Sequence, residues 1–236
     1  MANTYVIIPS FNSRPWIVSL IREVLSHKEV LRVVVVDDNS PDKAAALVKK
    51  TFSKNPKVKL IVRVSKGGRG SAVVEGFRAA LKDGKTKYII EMDADFAHNP
   101  SDIPKLLKAN KKFDAVFGSR YLEGGETQDY GIPRKIFSFL ANKWAKAMLG
   151  LDITDYTGGF RCYSRKALEK IDLSQIGSKG FIVLSEVAFR LSKNGLKIGE
   201  IPISAHSEKN QRSNLNVLEI VESLVTTTKL RFSGKV

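Results

Sequence analysis

Cysteine is almost absent from this chain, since Cys162 is the only one among 236 residues. A single cysteine excludes an internal disulfide and is typical of a reducing, cytosol-facing location. Long apolar runs are absent too, and none approaches the roughly 18 residues that a membrane span requires. The N-terminus lacks the basic region and long apolar stretch of a secretory signal. We therefore expect a cytoplasmic protein, soluble or peripheral on the cytosolic face of a membrane.

Acidic residues are scarce, with 24 Asp and Glu against 39 Lys and Arg, and the formal net charge is +15. Such a charge attracts phosphate groups, nucleic acid or an anionic membrane surface. The basic stretch 134–170 is accompanied by neither a series of stacking aromatics nor a helix-turn-helix pattern. We therefore expect no nucleic acid partner, although a basic nucleic-acid-binding module remains an alternative from another class of function.

The alternation of strand and helix patterns along the chain predicts an α/β fold. The apolar content of 43% is enough for a full core. The first 120 residues alternate short apolar runs with helical patterns, which predicts βαβ units and a mostly parallel sheet flanked by helices. We predict one domain over 1–215 and a C-terminal helical tail over 216–236. The tail has apolar residues at helical spacing, and the face that they form is expected to pack against another part of the protein. These residues are Val217, Ile220, Val221, Leu224 and Val225.

The individual elements follow from periodicity and turn signals. Strands are predicted over 5–9, 31–37, 58–64, 88–93, 115–119 and 197–203, the last at an edge of the sheet. Helices are predicted over 15–28, 40–52, 70–82, 133–149, 164–171, 183–193 and 216–230, with another beginning at Pro100.

The most informative motif is MDADFAHNP, in which Asp93 and Asp95 directly follow a buried strand. In an open α/β sheet, ligands bind at the ends where such strands leave the sheet. Two carboxylates this close repel each other unless a cation lies between them, and hard oxygen ligands beside a diphosphate suit Mg²⁺ or Mn²⁺. The alternative is a solvated turn in which Asp95 or Asn99 caps the following helix.

Polar residues also follow the first two strands. Asp38 lies at the end of the second strand, where a carboxylate accepts hydrogen bonds from a base or ribose. Asp37, Ser40 and Asp42 are expected to cap the helix that follows. Phe11, after the first strand, either stacks on a base or belongs to the core.

The glycine-rich stretch Lys66-Gly67-Gly68-Arg69-Gly70 resembles a phosphate cradle but does not have the spacing of a P-loop. We expect Gly68 and Gly70 to let the chain turn tightly into the next helix, beneath a bound ligand.

Taken together, the motifs IIPSFNS, VVDDNSPD, KGGRGSA, MDADFAHNP, FGSRYLEGG, PRKIFSFLAN, DYTGGFR, SKGF and IGEIPIS resemble those of dolichol-phosphate mannose synthases in glycosyltransferase family 2. The likeness runs from about residue 5 to 220. It implies a GT-A fold, a GDP-mannose donor, a Mg²⁺ or Mn²⁺ cofactor and a polyprenyl-phosphate acceptor at a membrane surface. A small membrane partner subunit is a further possibility that it raises.

The resemblance also implies roles for single residues. The guanosine half of the donor would be held by Pro9, Phe11, Ser13, Val36 and Asp38. The ribose, diphosphate and metal would be held by Asp93, Ala94 and Asp95, with Asp95 the principal metal ligand. Arg120 and Arg134 fall where the family engages phosphate groups, which suits the bidentate guanidinium. Asp155 would orient sugar hydroxyls or the acceptor, or else cap a loop.

Two departures from the family pattern limit these inferences. Ser10-Phe11-Asn12-Ser13 stands where members usually read T-Y-N-E, so a tyrosine hydroxyl and a glutamate are lost near the base. Another nucleotide sugar such as UDP-glucose therefore remains an alternative donor. In the loop 207–215, Glu208 and Asn214 replace Arg and Lys of the family, and Lys209 and Arg212 are expected to supply the missing charge.

The helix 133–149 is the expected contact with the membrane. Its apolar residues Ile136, Phe137, Leu140, Trp144, Ala147 and Met148 gather on one side, and the polar residues Arg134, Lys135, Ser138, Asn142 and Lys146 lie largely away from it. Aromatic residues beside lysines are typical of an interfacial helix. Amphipathicity alone does not separate this interpretation from a face that packs on the sheet.

Overall fold

The structure, a computed structural model, describes residues 2–206 and 217–233. Its centre is a seven-stranded sheet in the order β3-β2-β1-β4-β7-β5-β8. These strands are β1 (Thr4–Ser10), β2 (Val30–Asp37), β3 (Val58–Val62), β4 (Tyr88–Glu91), β5 (Ala115–Ser119), β7 (Arg161–Ser164) and β8 (Ile198–Pro202). A separate two-stranded sheet pairs β6 (Glu126–Gln128) with β9 (Ser204–His206).

Helices connect and cover these strands. They are α1 (Ile17–Ser26), α2 (Ala44–Phe52), α3 (Arg69–Leu81), α4 (Ile103–Ala109), α5 (Ile132–Leu149), α6 (Arg165–Lys170), α7 (Val183–Lys193) and α8 (Val217–Ser233). The predicted α/β class with a mostly parallel sheet is confirmed, since β1–β2, β1–β4, β2–β3 and β5–β8 all pair in parallel.

The core lies on both faces of the sheet. Successive residues of a strand point to opposite faces. Tyr5 and Ile7 of β1 accordingly pack in one buried cluster, whereas Val6 and Ile8 pack in the other. The branched apolar run of β2 is divided between the same two clusters, which is what a strand covered on both sides requires.

One strand inside the sheet has no counterpart among the predicted elements. β7 runs antiparallel between β4 and β5, so those two strands are not neighbours. Its first residue, Arg161, is fully buried, with its guanidinium 3.9 Å from the Phe117 ring centre and bonded to backbone carbonyls. A buried arginine in a strand of four residues hides that strand from any apolar pattern.

Some predicted element bounds are wrong by several residues. α2 begins at Ala44 rather than at 40, because Lys43 has a left-handed φ of 63° and Asp42 accepts the Ala44 N–H at 2.9 Å. β3 ends at Val62, and Val64 beyond it is 98% exposed.

The C-terminal helix α8 is confirmed, but the described side chains of its predicted apolar face are exposed rather than packed. Thr227 and Leu230 are buried, whereas Val221, Leu224 and Val225 of the predicted apolar stripe are 50%, 41% and 45% exposed. α8 packs on α5 and α7, and Thr227 accepts the Trp144 indole N–H at 2.9 Å. The predicted boundary at 215/216 lies outside the described residues.

Candidate active site

The strand order indicates where the site lies, at the carboxyl ends of the neighbouring strands β1, β2 and β4. β1 lies between β2 and β4, so the chain's progression across the sheet reverses there. In open α/β sheets, the crevice at the carboxyl ends of strands beside such a reversal is where ligands bind. Ser10 ends β1, Asp37 ends β2, and Asp93 follows the end of β4.

A buried polar network closes the ends of β1 and β2. The Ser10 and Ser13 hydroxyls are 2.6 Å apart, and Ser10 donates to Asp37 Oδ2 at 3.2 Å. Asp37 also accepts the Ser40 N–H and hydroxyl, but these bonds close a turn ahead of α2, so the predicted helix cap at Asp37 and Ser40 is wrong and only Asp42 bonds the first N–H of the helix. Ser13, predicted near the base, is 3% exposed and contributes to this network.

Asp38 holds the glycine-rich loop in place. Its carboxylate accepts the backbone N–H groups of Gly67 and Gly68, each at 2.8 Å, and the Arg63 guanidinium at 2.7 Å. Since Asp38 is 3% exposed, these bonds use most of its accepting capacity. Its direct contact with a base stays a prediction.

The glycines of this loop serve close packing, as predicted. Gly68 has a φ of +89°, and a Cβ there would lie 2.5 Å from the Lys179 carbonyl oxygen. A Cβ on Gly70 would lie 2.5 Å from the Ser178 carbonyl oxygen, and its N–H donates to Lys179 O at 2.6 Å. The loop therefore turns tightly into α3 against the backbone of 178–179.

Phe11 is half-exposed and belongs to neither buried cluster, so it is available as a stacking surface. The Lys66 ammonium lies 4.0 Å from its ring centre.

Pro9 and Val36 face each other across β1 and β2 and are both buried, as is Ala94. Pro9, Val36 and Ala94 can therefore face a ligand mainly through their backbone.

Asp93 forms a charge cluster with Arg69 and His98 that was not among the predicted sites. Its Oδ1 accepts Arg69 Nε at 2.9 Å, and its Oδ2 lies 3.3 Å from His98 Nε2. Burial raises the pKa of Asp93, but the Arg69 guanidinium and His98 outweigh burial and hold that pKa below its ordinary value. His98 stacks on Phe160 with ring centres 5.4 Å apart. The feature of the sequence that could have indicated Arg69 is the presence of a basic residue within a glycine-rich turn.

Asp95 is half-exposed, and its Oδ1 accepts the Ala97 N–H at 3.0 Å. Asn99, not Asp95, caps the 3₁₀ turn Pro100–Asp102 by accepting the Ser101 N–H at 2.9 Å. Of the two cap alternatives, the structure thus selects Asn99 and leaves Asp95 at the edge of the site.

The fit of a divalent cation depends on what else binds there. In the described ranges, no group of three or more His, Cys, Asp or Glu side chains is suited to hold a metal. Mg²⁺ usually binds through one or two carboxylates together with substrate phosphates. Asp93 and Asp95 fit such a shared site.

Two predicted catalytic residues, Arg120 and Asp155, form one buried ion pair. Arg120 Nε and Nη2 donate to the two Asp155 oxygens at 2.7 and 2.8 Å. Asp155 is completely buried and also accepts the Gly158 N–H at 2.8 Å, which is the loop-cap alternative. Burial raises the pKa of Asp155, but Arg120 outweighs it and lowers that pKa. Asp155 is thus held by Arg120 and the backbone of the following turn, and its contact with a sugar or acceptor stays a prediction.

The ion pair is connected to α5. The Thr157 hydroxyl accepts Arg120 Nη2 at 2.6 Å and Asn142 Nδ2 at 3.2 Å. Asn142 Oδ1 accepts the Tyr156 N–H at 2.6 Å. The predicted polar position Asn142 is therefore buried, and α5 packs through Asn142, Ala145 and Leu149, with Met148 of the predicted apolar side partly buried beside them.

Arg134 lies in the first turn of α5, half-buried, with its guanidinium carbon 4.2 Å from the Tyr130 ring centre. Its contact with a phosphate stays a prediction. Arg212, together with Glu208, Lys209 and Asn214, lies outside the described residues.

A mostly parallel sheet between helices, with carboxylates where β2 and β4 end, defines the fold as that of a GT-A glycosyltransferase. The sequence profile Glycosyl transferase family 2 matches residues 5–172, and the chain belongs to this family. The predicted family is therefore confirmed, and the chain is a glycosyltransferase.

Two relatives cover nearly the whole chain. It is 34% identical over 234 residues to a polyprenol monophosphomannose synthase of Mycolicibacterium smegmatis, covering 98% of this chain and 88% of that protein. It is 34% identical over 226 residues to an undecaprenyl-phosphate mannosyltransferase of Micrococcus luteus, covering 94% and 91%.

Solved structures share the fold. Glucosyl-3-phosphoglycerate synthase from Mycobacterium tuberculosis, in complex with Mn²⁺, UDP and glucosyl-3-phosphoglycerate, superposes with a TM-score of 0.71 at 16% identity, covering 100% of this chain and 81% of that one. Its complex with Mg²⁺ and UDP gives a TM-score of 0.70 at the same identity and coverage. At this identity the likeness shows the fold alone.

Proposed function

We propose that this glycosyltransferase transfers mannose from GDP-mannose to dolichyl or another polyprenyl phosphate, with inversion at the anomeric carbon. The names of the two relatives, both for mannosyl transfer to a polyprenyl phosphate, support the sugar and the acceptor class. GDP as the nucleotide rests on the resemblance of the motifs. UDP-glucose remains the alternative donor, because Ser10 to Ser13 depart from the family pattern.

The observation that carries the proposal is the connection between the site and an exposed apolar surface. Asn142 and Arg120 share the Thr157 hydroxyl, so α5 is bonded directly to the Arg120–Asp155 pair. The opposite side of α5 exposes Ile136 by 54% and Leu140 by 57%. A site for a lipid-linked phosphate requires such a surface beside it.

The exposed surface extends beyond these two residues. Ile132, Phe139 and Trp144 of α5 and Val221, Leu224 and Val225 of α8 are exposed large hydrophobics. Exposed basic residues on the same helices are Lys135, Lys143, Lys146, Lys229 and Arg231. Apolar side chains among basic ones suit the headgroup level of an anionic membrane. We propose that the enzyme binds the cytosolic membrane face peripherally through α5 and α8.

Within the described part of the chain, no helix has both the length and the apolar character to cross a bilayer. A small membrane partner subunit remains a second way to bring the enzyme to its acceptor, and vesicle binding distinguishes the two.

The transfer reaction requires no strong general base. A phosphate monoester, with a second pKa of about 6, is already a dianion at neutral pH. Catalysis then consists of holding the acceptor oxygen in line with the anomeric carbon. Arg120, fixed by Asp155, and Arg134 would supply guanidinium groups to the donor and acceptor phosphates. A divalent cation at Asp95 and Asp93, when bound, would neutralise the departing diphosphate.

Donor identity has a direct test in thermal shift. GDP-mannose with Mn²⁺ is expected to raise the melting temperature more than UDP-glucose with Mn²⁺, since a ligand at 100 times its Kd stabilises by about 2.7 kcal/mol. EDTA is expected to reduce the shift. A shift with UDP-glucose but not GDP-mannose would favour the alternative donor, and one with oligonucleotides alone would favour nucleic acid binding.

Membrane binding is tested by flotation with anionic vesicles. Wild type is expected to float at low salt and less at high salt, because basic residues contribute about 1 kcal/mol each through a screened attraction. Ile136→Ser/Leu140→Ser is expected to weaken partitioning by about tenfold or more, since each buried apolar side chain contributes about 1.5–3 kcal/mol.

The matched control is Val62→Ser/Val64→Ser, which removes two exposed apolar side chains, 55% and 98% exposed, at the end of β3 and in the loop after it. It is expected to float like wild type. Equal loss in both double variants would indicate nonspecific adsorption. No flotation of wild type at low salt would indicate that a partner subunit brings the enzyme to its lipid.

A further inference from the structure

The backbone of Lys179 connects the C-terminal helix α8 to the glycine-rich loop 66–70. Its N–H donates to Glu222 Oε1 of α8 at 2.9 Å. Its carbonyl oxygen accepts the N–H of Gly70, in the first turn of α3, at 2.6 Å. Both hydrogen bonds are made by one residue, so the position of α8 and the position of the glycine-rich loop are linked through it.

The contact between the glycine-rich loop and the 178–180 backbone leaves no room for adjustment. A Cβ on Gly70 would lie 2.5 Å from the Ser178 carbonyl oxygen and 3.0 Å from the Gly180 carbonyl oxygen. Asp38, which follows β2, accepts the N–H groups of the first two glycines of the same loop. The loop is thus fixed both by Asp38 and by the 178–180 backbone, and a shift of that backbone would move the loop.

Two carboxylates fix the 178–180 backbone itself, which lies between α6 and α7 and belongs to neither helix nor strand. Glu186 of α7 is buried and accepts the Ser178 N–H at 3.1 Å. Glu222 is half-exposed and accepts the N–H of the next residue, Lys179. The first contact belongs to the core, whereas the second depends on where α8 lies.

The helix α8 is only partly covered by the rest of the protein. Thr227 and Leu230 are buried, whereas Val221, Leu224 and Val225 are exposed. Covering exposed apolar side chains is favourable in free energy. Contact of this side of α8 with a membrane would therefore stabilise the position of the helix in which Glu222 reaches Lys179.

We propose that Glu222 is a positioning residue of the donor site, because it holds the 178–180 backbone against the glycine-rich loop. This inference rests on the proposed function, in which the loop lies beneath the donor and α8 contacts the membrane. It follows that donor binding and membrane binding strengthen each other through Glu222. Because coupling between two binding sites is reciprocal, vesicles and donor each raise the affinity for the other by the same factor.

The first test is binding of GDP with Mn²⁺ to the full chain, measured by calorimetry without vesicles. Glu222→Ala is expected to weaken GDP binding by about fivefold, at the lower end of typical coupling between sites. Glu222→Gln is expected to stay within about twofold of wild type, because its amide oxygen still accepts the Lys179 N–H. In transfer assays, the KM of Glu222→Ala for the donor is expected to rise while kcat stays unchanged, since only binding is weakened.

The second test adds vesicles of phosphatidylcholine and phosphatidylglycerol. They are expected to tighten GDP binding to wild type by about fivefold and to leave GDP binding to Glu222→Ala unchanged. Vesicle binding by wild type is expected to strengthen by the same factor when GDP and Mn²⁺ are present. Glu23→Ala is the matched control, because it removes an exposed carboxylate from α1 and changes the net charge equally. It is expected to behave like wild type.

A purely structural role for Glu222 would lower the melting temperature of Glu222→Ala without raising its KM for the donor, and that result would overturn the inference. Equal weakening of GDP binding by Glu222→Gln and Glu222→Ala would also overturn it, since the hydrogen bond to Lys179 would then not position the loop. Should Glu222→Ala fail to fold, Glu222→Asp, which keeps the charge on a shorter side chain, takes its place in both tests.

Failure of the inference and failure of the proposed function give different results. Absence of nucleotide binding to wild type with either GDP or UDP would overturn the proposed function. Nucleotide binding and flotation that are both intact, but independent of Glu222 and of each other, would overturn only the inference. A wild type that binds GDP without floating would overturn the membrane contact, and the Glu222 variants without vesicles would then decide the positioning role.

Discussion

Asp95→Asn is expected to abolish most turnover, lowering kcat by about 100-fold or more while the chain still folds. A neutral amide is a much poorer ligand for a hard cation than a carboxylate, and metal-bound charge stabilisation contributes several kcal/mol to such transfers. Asp95 is half-exposed, so its amide has no large desolvation cost. Steady-state mannosyl transfer with Mn²⁺ and a thermal melt together measure both expectations.

The control for Asp95 is Asp152→Asn, which removes one exposed carboxylate outside the site and is expected to leave kcat unchanged. Full activity of wild type in excess EDTA, or of Asp95→Asn with Mn²⁺, would show that no cation at this position assists the reaction.

Breaking the Arg120–Asp155 pair is expected to have the largest effect on stability. Asp155→Ala leaves a buried guanidinium without its carboxylate, and removing one partner of a buried pair costs about 3–5 kcal/mol. Urea unfolding measures this loss. Arg120→Lys keeps the charge but not the two-pronged contact, so transfer is expected to fall strongly even where the fold persists.

The Asp102–Lys105 pair, whose lysine is exposed, is the control for this second prediction. Lys105 is 69% exposed, and Lys105→Ala is expected to change the unfolding free energy by less than about 1 kcal/mol. A similarly small change in the unfolding free energy of Asp155→Ala would contradict a stabilising buried ion pair. Wild-type kinetics in Arg120→Lys would show that Arg120 is a purely structural residue.

The pH dependence of the same pair follows from the lowered pKa of Asp155. A carboxyl whose folded pKa lies below its unfolded value stabilises the fold above the unfolded pKa, here about 3.9, and loses that contribution as the pH falls through the folded pKa. The stability difference between wild type and Asp155→Asn is therefore expected to be complete at neutral pH and to shrink below about pH 3.9. A difference that grows in acid would reverse this assignment.

Most of the sheet could be predicted from the sequence because its signals are local. An apolar run such as VVVV in β2 is long enough to mark a buried parallel strand, and the polarity change that follows it marks the strand end. The two aspartates after β4 could be assigned to the site for the same reason. β7 could not, because its first residue is the buried Arg161, whose guanidinium is satisfied by carbonyls of the 156–158 turn and of α7, and no apolar pattern reveals such a strand.

Local patterns also left the faces of the two surface helices undecided. The apolar side of α5 is as regular as that of a core helix, and only the tertiary structure shows that α5 packs through Asn142, Ala145 and Leu149 instead. The polar Asn142 is buried because the 156–157 turn supplies its hydrogen-bond partners. Amphipathicity reports that a helix has two sides, whereas packing partners decide which side is covered.

The sequence by itself determined the family, the α/β architecture and the strand ends at which the site lies, since each depends on residues close together in the chain. Only the tertiary structure decided which charges meet. Arg69 reaches Asp93 across 24 residues, and Arg120 reaches Asp155 across 35. Ion pairs of this kind form between loops that meet only in the folded protein, and no periodicity in the sequence predicts which loops meet.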